Sequence, residues 1–223
     1  SALDAARAVR NIVTPLSLAP GTLGLGHSQG GGASLSMHAH ASSYGDDDLL
    51  GVIPFAPGWS QDTDAIYWVS HFPGLVTWSV AAALPVGLQM YADAANHVGP
   101  GHEVDYFDAS IATDVADLIE NQCVLGLSIQ LPLLAVTFDG ALDDTFIDTV
   151  AACTEGTGAC APPGQGYVER AEANIVPLDP TSGPILFIGG MLDDRITPAE
   201  LACLVESAIA DGAEVQVCTD ATA

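Results

Sequence analysis

The chain has 223 residues, 28 Asp and Glu against four Arg and no Lys, and a formal net charge of −24. That balance excludes nucleic acid and anionic membrane surfaces as partners, since both select a basic face; it favours solubility, including in saline surroundings where self-repulsion is screened. With 49% hydrophobic residues the chain can bury a sizeable core, and its length fits one domain.

The first predicted element is a helix over 2–12, with Leu3, Ala6, Val9 and Arg10 at helical spacing and Pro15 ending the pattern. A short apolar strand is expected over 21–26. It runs into Gly26-His27-Ser28-Gln29-Gly30, and a small-residue helix is expected over 33–44. Strand, then G-x-S-x-G, then helix is the context of a nucleophile elbow. Gly26 and Gly30 leave room where the turn passes the helix, and Ser28 occupies the tip. The helix N-terminus behind it supplies backbone N–H groups and positive potential suited to a developing oxyanion.

A second strand is expected over 49–55, after a turn at Gly45-Asp46-Asp47-Asp48 whose carboxylates lack the spacing of an EF-hand and read as solvated. From Ala56 to about Asp179 the alternation of strand and helix stops. Ile111, Val115, Leu118 and Ile119 make one helical face. Leu125, Ile129 and Leu133 make another before Pro132, a further short helix covers 145–152, and the Gly/Pro-rich stretch 156–166 reads as a surface loop. More than a hundred residues is too long for a simple connection, so 59–179 is expected to be an inserted helical cap on a core made of 1–58 and 180–223. No run reaches membrane-spanning length, because Pro85 and Gly87 break the apolar stretch 75–90, and no integral membrane segment is expected. A third strand over 184–189 is followed by the loop 190–196, a helix over 199–210 with Leu201, Leu204, Val205 and Ile209 inward, and a last strand over 214–218. Strand–helix–strand with short links implies a parallel sheet, and the fold class expected is α/β with strands near 21–26, 49–55, 184–189 and 214–218.

The five cysteines form no C-x-x-C pair, which disfavours zinc and thioredoxin-type chemistry. Cys153 and Cys160 bracket a short loop and are expected to pair. Cys203 and Cys218 could join a helix to the next strand, leaving Cys123 free or paired outside the chain. Two disulfides would suit a secreted protein, whereas five thiols would suit a cytosolic one.

Parallel-sheet enzymes carry their sites at the C-terminal ends of strands. Ser28 lies at one such end and Asp193-Asp194 at another. A serine nucleophile needs a base, and the base needs a carboxylate to orient it. Nucleophile followed by acid is the chain order of an α/β hydrolase, whose histidine comes last. His27, His38, His40, His71, His97 and His102 all precede Asp193. His27 is expected to pack, His38 and His40 to pack or lie at the surface, and the catalytic histidine is expected beyond residue 223. One oxyanion donor is expected from the N–H of Gln29. The other normally follows an earlier strand, and the strand over 22–26 would leave an edge unpaired. The expectation is that 1–223 is a piece of a longer enzyme, with a complementary chain or segment completing the sheet.

Gly26-His27-Ser28-Gln29-Gly30-Gly31, the large helical cap, Gly190-x-x-Asp193 and Cys203…Gly212-Ala213-x-Val215 resemble secreted lipases of the lipase-A-like α/β-hydrolase family. The opening Leu3-Asp4-Ala5-Ala6-Arg7-Ala8 is similar to that family's helix before the elbow, and Gly87-Leu88…Tyr91 to a feature of its cap. Asp193-Asp194-Arg195-Ile196 is similar to its Asp-x-Arg-Val acid loop. The resemblance implies Ser28 as nucleophile and Asp193 as triad acid, in an α/β-hydrolase fold.

The leading expectation is a secreted serine esterase or lipase acting on a small-molecule ester or lipid, with no cofactor and no metal. Trp59, Trp68, Phe72, Leu75 and Trp78 could line an acyl site or form the cap core. The alternatives are a serine aminopeptidase of the same fold, with Asp62 or Asp64 holding a peptide N-terminus, and an inactive hydrolase-fold binding module.

Overall fold

The computed structural model describes residues 2–12, 21–45, 48–58, 83–99, 101–156, 158–173, 177–193 and 196–220. It divides into two compact units, Ser1–Gln61 with Ile175–Ala223, and Asp62–Asn174.

The first unit is an α/β layer structure. Helix α1 (Ala2–Ile12) precedes strand β1 (Thr22–His27), helix α2 (Gln29–His40) and strand β2 (Leu49–Phe55). After the second unit come β3 (Ile185–Gly190), α8 (Pro198–Ala210) and β4 (Val215–Asp220). The four strands form one sheet in the order β1-β2-β3-β4, all parallel. Strands β2 and β3 are near-continuous apolar runs, the pattern of parallel strands. Helices α2 and α8 pack on the face that carries Gly24, Val52, Ile185 and Gly189, where a Cβ at Gly24 would meet Met37 and one at Gly189 would meet Leu201, whereas Leu23, Leu25 and Leu50 are exposed. Leu35 and Met37 of α2, Val52 of β2, Ile185 and Phe187 of β3 and Leu201 and Leu204 of α8 form the unit's core with Leu3. Burying a side chain such as Phe187 contributes about 1.5–3 kcal/mol.

Two departures from the predicted elements follow from packing. Helix α2 starts at Gln29 rather than near residue 33, so no loop separates it from Ser28. Its glycine-rich first turn has low helix propensity, which contacts with the sheet override. In α8 the inward positions are Leu201, Leu204 and Ala208, whereas Ile209 is exposed. That helix starts with a reciprocal capping box, Thr197 Oγ1 accepting from Glu200 N and Glu200 Oε2 accepting from Thr197 N, with Pro198 in the first turn.

Arginines fasten α1 to the turn before β2. Arg7 donates to the Tyr44 carbonyl at 2.7 Å and lies over the Tyr44 ring, and Arg10 pairs with Asp48 at 2.9 Å and donates to Thr22 Oγ1.

The second unit is helical. Its helices are α3 (Ala83–Asp93), continuing through a π-turn over Ala94–Val98, then α4 (Ala112–Asn121), α5 (Val124–Leu134), α6 (Asp144–Glu155) and α7 (Gly164–Ala173). Tyr106 stacks on Phe146 at 4.4 Å between ring centres, and Tyr167 meets both edge-on. Asp93 and Arg170 join α3 to α7 through a 2.7 Å ion pair, and the Tyr106 hydroxyl donates to Asp93 Oδ2 while accepting from Arg170 Nη2. Val115 of α4 is buried, with Ile111, Leu118 and Ile119 packed beside the core as the spacing predicts. For α5 the predicted face is reversed. Leu127 and Leu131 are buried, whereas Leu125, Ile129 and Leu133 are exposed. Helix α7 begins inside the stretch 156–166 expected to be a loop. Cys153 and Cys160 are joined by a disulfide as expected. Cys203 and Cys218 are both free thiols, a correction to the second expected bridge. Leu201 and Leu204 set the inward face of α8, which turns Cys203 to the opposite, exposed side. Among the described residues no helix is long and apolar enough to cross a membrane.

His38, fully buried near the end of α2, ties that helix to the segment before β3. Its Nε2–H donates to the Gly183 carbonyl at 2.8 Å, so Nδ1 carries the lone pair and has no partner. Burial lowers the imidazole pKa below its ordinary 6.5, outweighing the bond to Gly183 and the Asp179 charge, which raise it. Hydrogen bonds from Ser42 and Thr181 hold Asp179 well below the usual carboxylate range. A lowered folded-state pKa contributes stability in full above the unfolded value of 6.5 and loses it as pH falls through the folded value. The urea midpoint of the wild-type protein is therefore expected to fall as pH drops from about 7.5 to about 5.5, above the range where most carboxylates titrate. His38→Gln, which keeps a donor for Gly183 and cannot protonate, should flatten that limb. An unchanged pH slope would show that His38 does not set it.

Candidate active site

β1 delivers the chain to Ser28 without an intervening loop. Ser28 adopts φ 54° and ψ −119°, a region residues with a Cβ rarely occupy, and stands at the cap position of α2. A serine there ordinarily accepts a hydrogen bond from the first turn, but this side chain makes no capping bond, and the residue is exposed. The hydroxyl is thus presented at the apex, next to the positive end of a 12-residue helix whose first turn holds no acidic residue. Sharpness of the turn dictates Gly26, since a Cβ there would run into the Gly30 carbonyl. At Gly30 a Cβ would meet nothing within 4 Å, so the second glycine of the motif is not forced by contact.

Backbone hydrogen bonds from the end of β2 hold the apex. Ser28 N donates to Phe55 O at 2.9 Å, Gly58 N donates to Ser28 O at 3.0 Å, and Ala56 N donates to Ile188 O of β3 at 2.8 Å. His27 of β1 is in register with Phe55, and Phe55 with Ile188, so the loops after the three strands leave the sheet at the same edge. Asp193 stands in the loop after β3, half-buried, with its Oδ1 accepting from Ile196 N at 3.0 Å and its own N–H donating to Gly190 O at 3.3 Å. The fold thus puts Ser28, Gln29 and Asp193 at one edge of one sheet. The loop 55–58 gave only a Pro57-Gly58 pair as a sequence signal, which marks a turn and nothing of its bonds.

The other expected residues divide by position. Trp59, Trp68, Phe72, Leu75 and Trp78 lie outside the described residues, as do Asp62, Asp64, His71, Asp194 and Arg195. His27 is exposed rather than packed, because successive strand residues alternate between faces and Gly26 takes the inward turn. His38 is at the opposite end of α2 from Ser28 and spends its donor on Gly183. In the helical unit, His97 stands 3.9 Å from Asp93 and His102 pairs with Asp105 at 2.8 Å, both half-exposed. That unit holds a cavity of about 190 Å³ lined by Gln89, Asp93, Asn96, His97 and Tyr167 among others. Among the described residues no group of three or more His, Cys, Asp or Glu could hold a metal ion.

No protein-family model matches the chain, and no curated protein sequence matches it. Solved structures do. A point mutant of the rice cell wall degrading esterase LipA of Xanthomonas oryzae superposes with a TM-score of 0.69 at 16% identity, over 98% of this chain and 55% of the esterase. Lipase A of Candida antarctica superposes with a TM-score of 0.66 at 14% identity, over 99% of this chain and 48% of the lipase. The fold is a lipase-like α/β-hydrolase fold. The chain spans about half the length of these two proteins.

The elbow geometry predicts an asymmetry between its two glycines. Gly26→Ala should destabilise the first unit by about 3 kcal/mol or more, since neither the Cβ nor the Gly30 carbonyl can yield. Gly30→Ala should be neutral or stabilising by up to about 1 kcal/mol, since its Cβ has room and Ala favours the helix. Denaturant unfolding of both variants measures the difference, and equal losses would contradict the geometry.

Proposed function

We propose that this chain carries the nucleophile and the acid of a serine hydrolase that cleaves carboxylic esters of small molecules or lipids. The observation that carries the reading is the backbone of Ser28, held in a rarely populated conformation with its hydroxyl exposed at a helix N-terminus and unused for capping. Strain of this kind persists where neighbouring structure enforces it, and clusters at reactive groups. The esterase and lipase folds described above support the hydrolase class.

In this reading Ser28 Oγ attacks the ester carbonyl carbon while a base takes its proton. The carbonyl oxygen becomes an oxyanion facing the Gln29 N–H, the first free donor after the nucleophile. Collapse of the tetrahedral species breaks the C–O bond to the alcohol, which leaves with the proton, and water then cleaves the acyl-enzyme by the same route. Asp193 orients the base and stabilises its charged form. The base is a histidine that this reading takes from outside residues 1–223. The Cys153–Cys160 disulfide supports an oxidising, extracellular destination.

A fluorophosphonate probe applied to the complete gene product tests the assignment. Labelling of Ser28 and hydrolysis of a p-nitrophenyl ester are expected, with Ser28→Ala abolishing the first and lowering kcat by roughly 10⁵–10⁶. Asp193→Asn should lower kcat on the order of 10⁴-fold while leaving the fold intact. Undiminished labelling of Ser28→Ala would refute the reading.

A further inference from the structure

Resting on the reading of Ser28 as nucleophile and Gln29 N–H as oxyanion donor, we infer that Gly58 is a positioning residue: its backbone N–H, bound to the Ser28 carbonyl, aims the Gln29 N–H. The Ser28 carbonyl and the Gln29 N–H belong to one peptide unit. That unit is planar and trans, so its oxygen and its hydrogen point in opposite directions. Whatever fixes the oxygen fixes the line along which the N–H is presented. The Ser28 oxygen accepts two hydrogen bonds, one from Gly32 N at 3.1 Å within α2 and one from Gly58 N at 3.0 Å. The first belongs to the ordinary winding of a helix. It lies in a first turn that contains Gly30, Gly31 and Gly32 and has little intrinsic preference for helix. The second comes from outside the helix and removes the remaining freedom of the peptide to rock.

The donor is itself firmly placed. The segment 55–58 grips Ser28 from both sides, taking its N–H on Phe55 O at 2.9 Å and giving Gly58 N–H to its carbonyl. Ala56, between them, has φ 37°, the left-handed side that residues with a Cβ avoid, and its N–H is tied to Ile188 O of β3. Pro57 sits against the first turn of α2: a Cβ at Gly31 would lie 2.8 Å from Pro57 Cα and 3.0 Å from Pro57 Cβ. Strand β3 anchors the strap, Pro57 seats it on the helix, and Gly58 sets the peptide plane. Gly58 uses only its backbone, since a Cβ there would approach Gln29 N and the Ser28 carbonyl no closer than 3.8 Å.

Replacing Gly58 with glycolate, which exchanges the N–H for an ester oxygen and adds no side chain, tests the role in the complete gene product. Hydrolysis of p-nitrophenyl butyrate should lose about tenfold or more in kcat with KM changed less than about twofold, since the donor is needed for the oxyanion and not for the bound ester. Affinity for a boronic acid that forms a tetrahedral adduct on serine should fall in parallel. Gly58→Ala, which retains the N–H, should restore kcat. Gly31→Ala reaches the same strap through Pro57 and should also lower kcat at constant KM. A purely structural role would instead lower the melting temperature and the active fraction without this split. The inference is overturned if the folded glycolate protein keeps kcat within about twofold of wild type. Should Ser28→Ala itself stay active and labelled, the nucleophile assignment fails and this inference with it. If Ser28→Ala is dead while the glycolate protein is unimpaired, only the role of Gly58 fails.

Discussion

A residue with a Cβ held at φ 54° and ψ −119° costs of order 1–3 kcal/mol, and the sheet-bearing unit is arranged to hold Ser28 there. The strand before it and the helix after it meet with no connecting loop, so the chain must reverse within one residue. Gly26 leaves space for the helix backbone, and the register of β1 on β2 brings the segment 55–58 beside the apex. Strand β3 carries the Asp193 loop to the same edge because its register with β2 is fixed at Val52–Ile185 and Phe55–Ile188. Each of these placements would lose its purpose if the turn at Ser28 relaxed to an ordinary conformation.

Positive charge is scarce in this chain and is used to fasten elements together. Arg7 and Arg10 fix α1 to the turn before β2, and Arg170 links α7 to α3 through Asp93. The Arg170 pair also receives the Tyr106 hydroxyl, so the guanidinium, the carboxylate and the phenol satisfy one another at the border of an aromatic cluster. Such a network is costly to break at one point, because the remaining partners keep their desolvation without their bond.

Strands β2 and β3 could be read in the sequence because a buried parallel strand leaves a short, unbroken apolar run, here closed by Pro57 and by Gly189-Gly190. The elbow was legible because its steric demand is met by glycine at a fixed spacing from the serine. Helix α5 was not: Leu125, Leu127, Ile129, Leu131 and Leu133 are apolar on every side, so periodicity cannot select the inward face, and only the neighbouring helices decide it. The same holds for Ala208 over Ile209 in α8, where the space available outweighs hydrophobicity. The pairing of Cys203 with Cys218 failed for want of a direction, since sequence distance does not reveal which side of a helix a thiol faces. The strap 55–58 left no mark beyond a turn signal, because its bonds are made by the backbone.

Helix α2 is a rigid rod of about 18 Å, with Ser28 at one end and His38 near the other. The Gly183 carbonyl therefore acts as the far bearing of a lever whose near end is the serine. A tilt of a few degrees at that bearing displaces the apex by about 1 Å, which is the scale on which reacting groups lose alignment. Residues 179–183, remote from the hydroxyl and lacking chemistry of their own, thereby share in setting where it points.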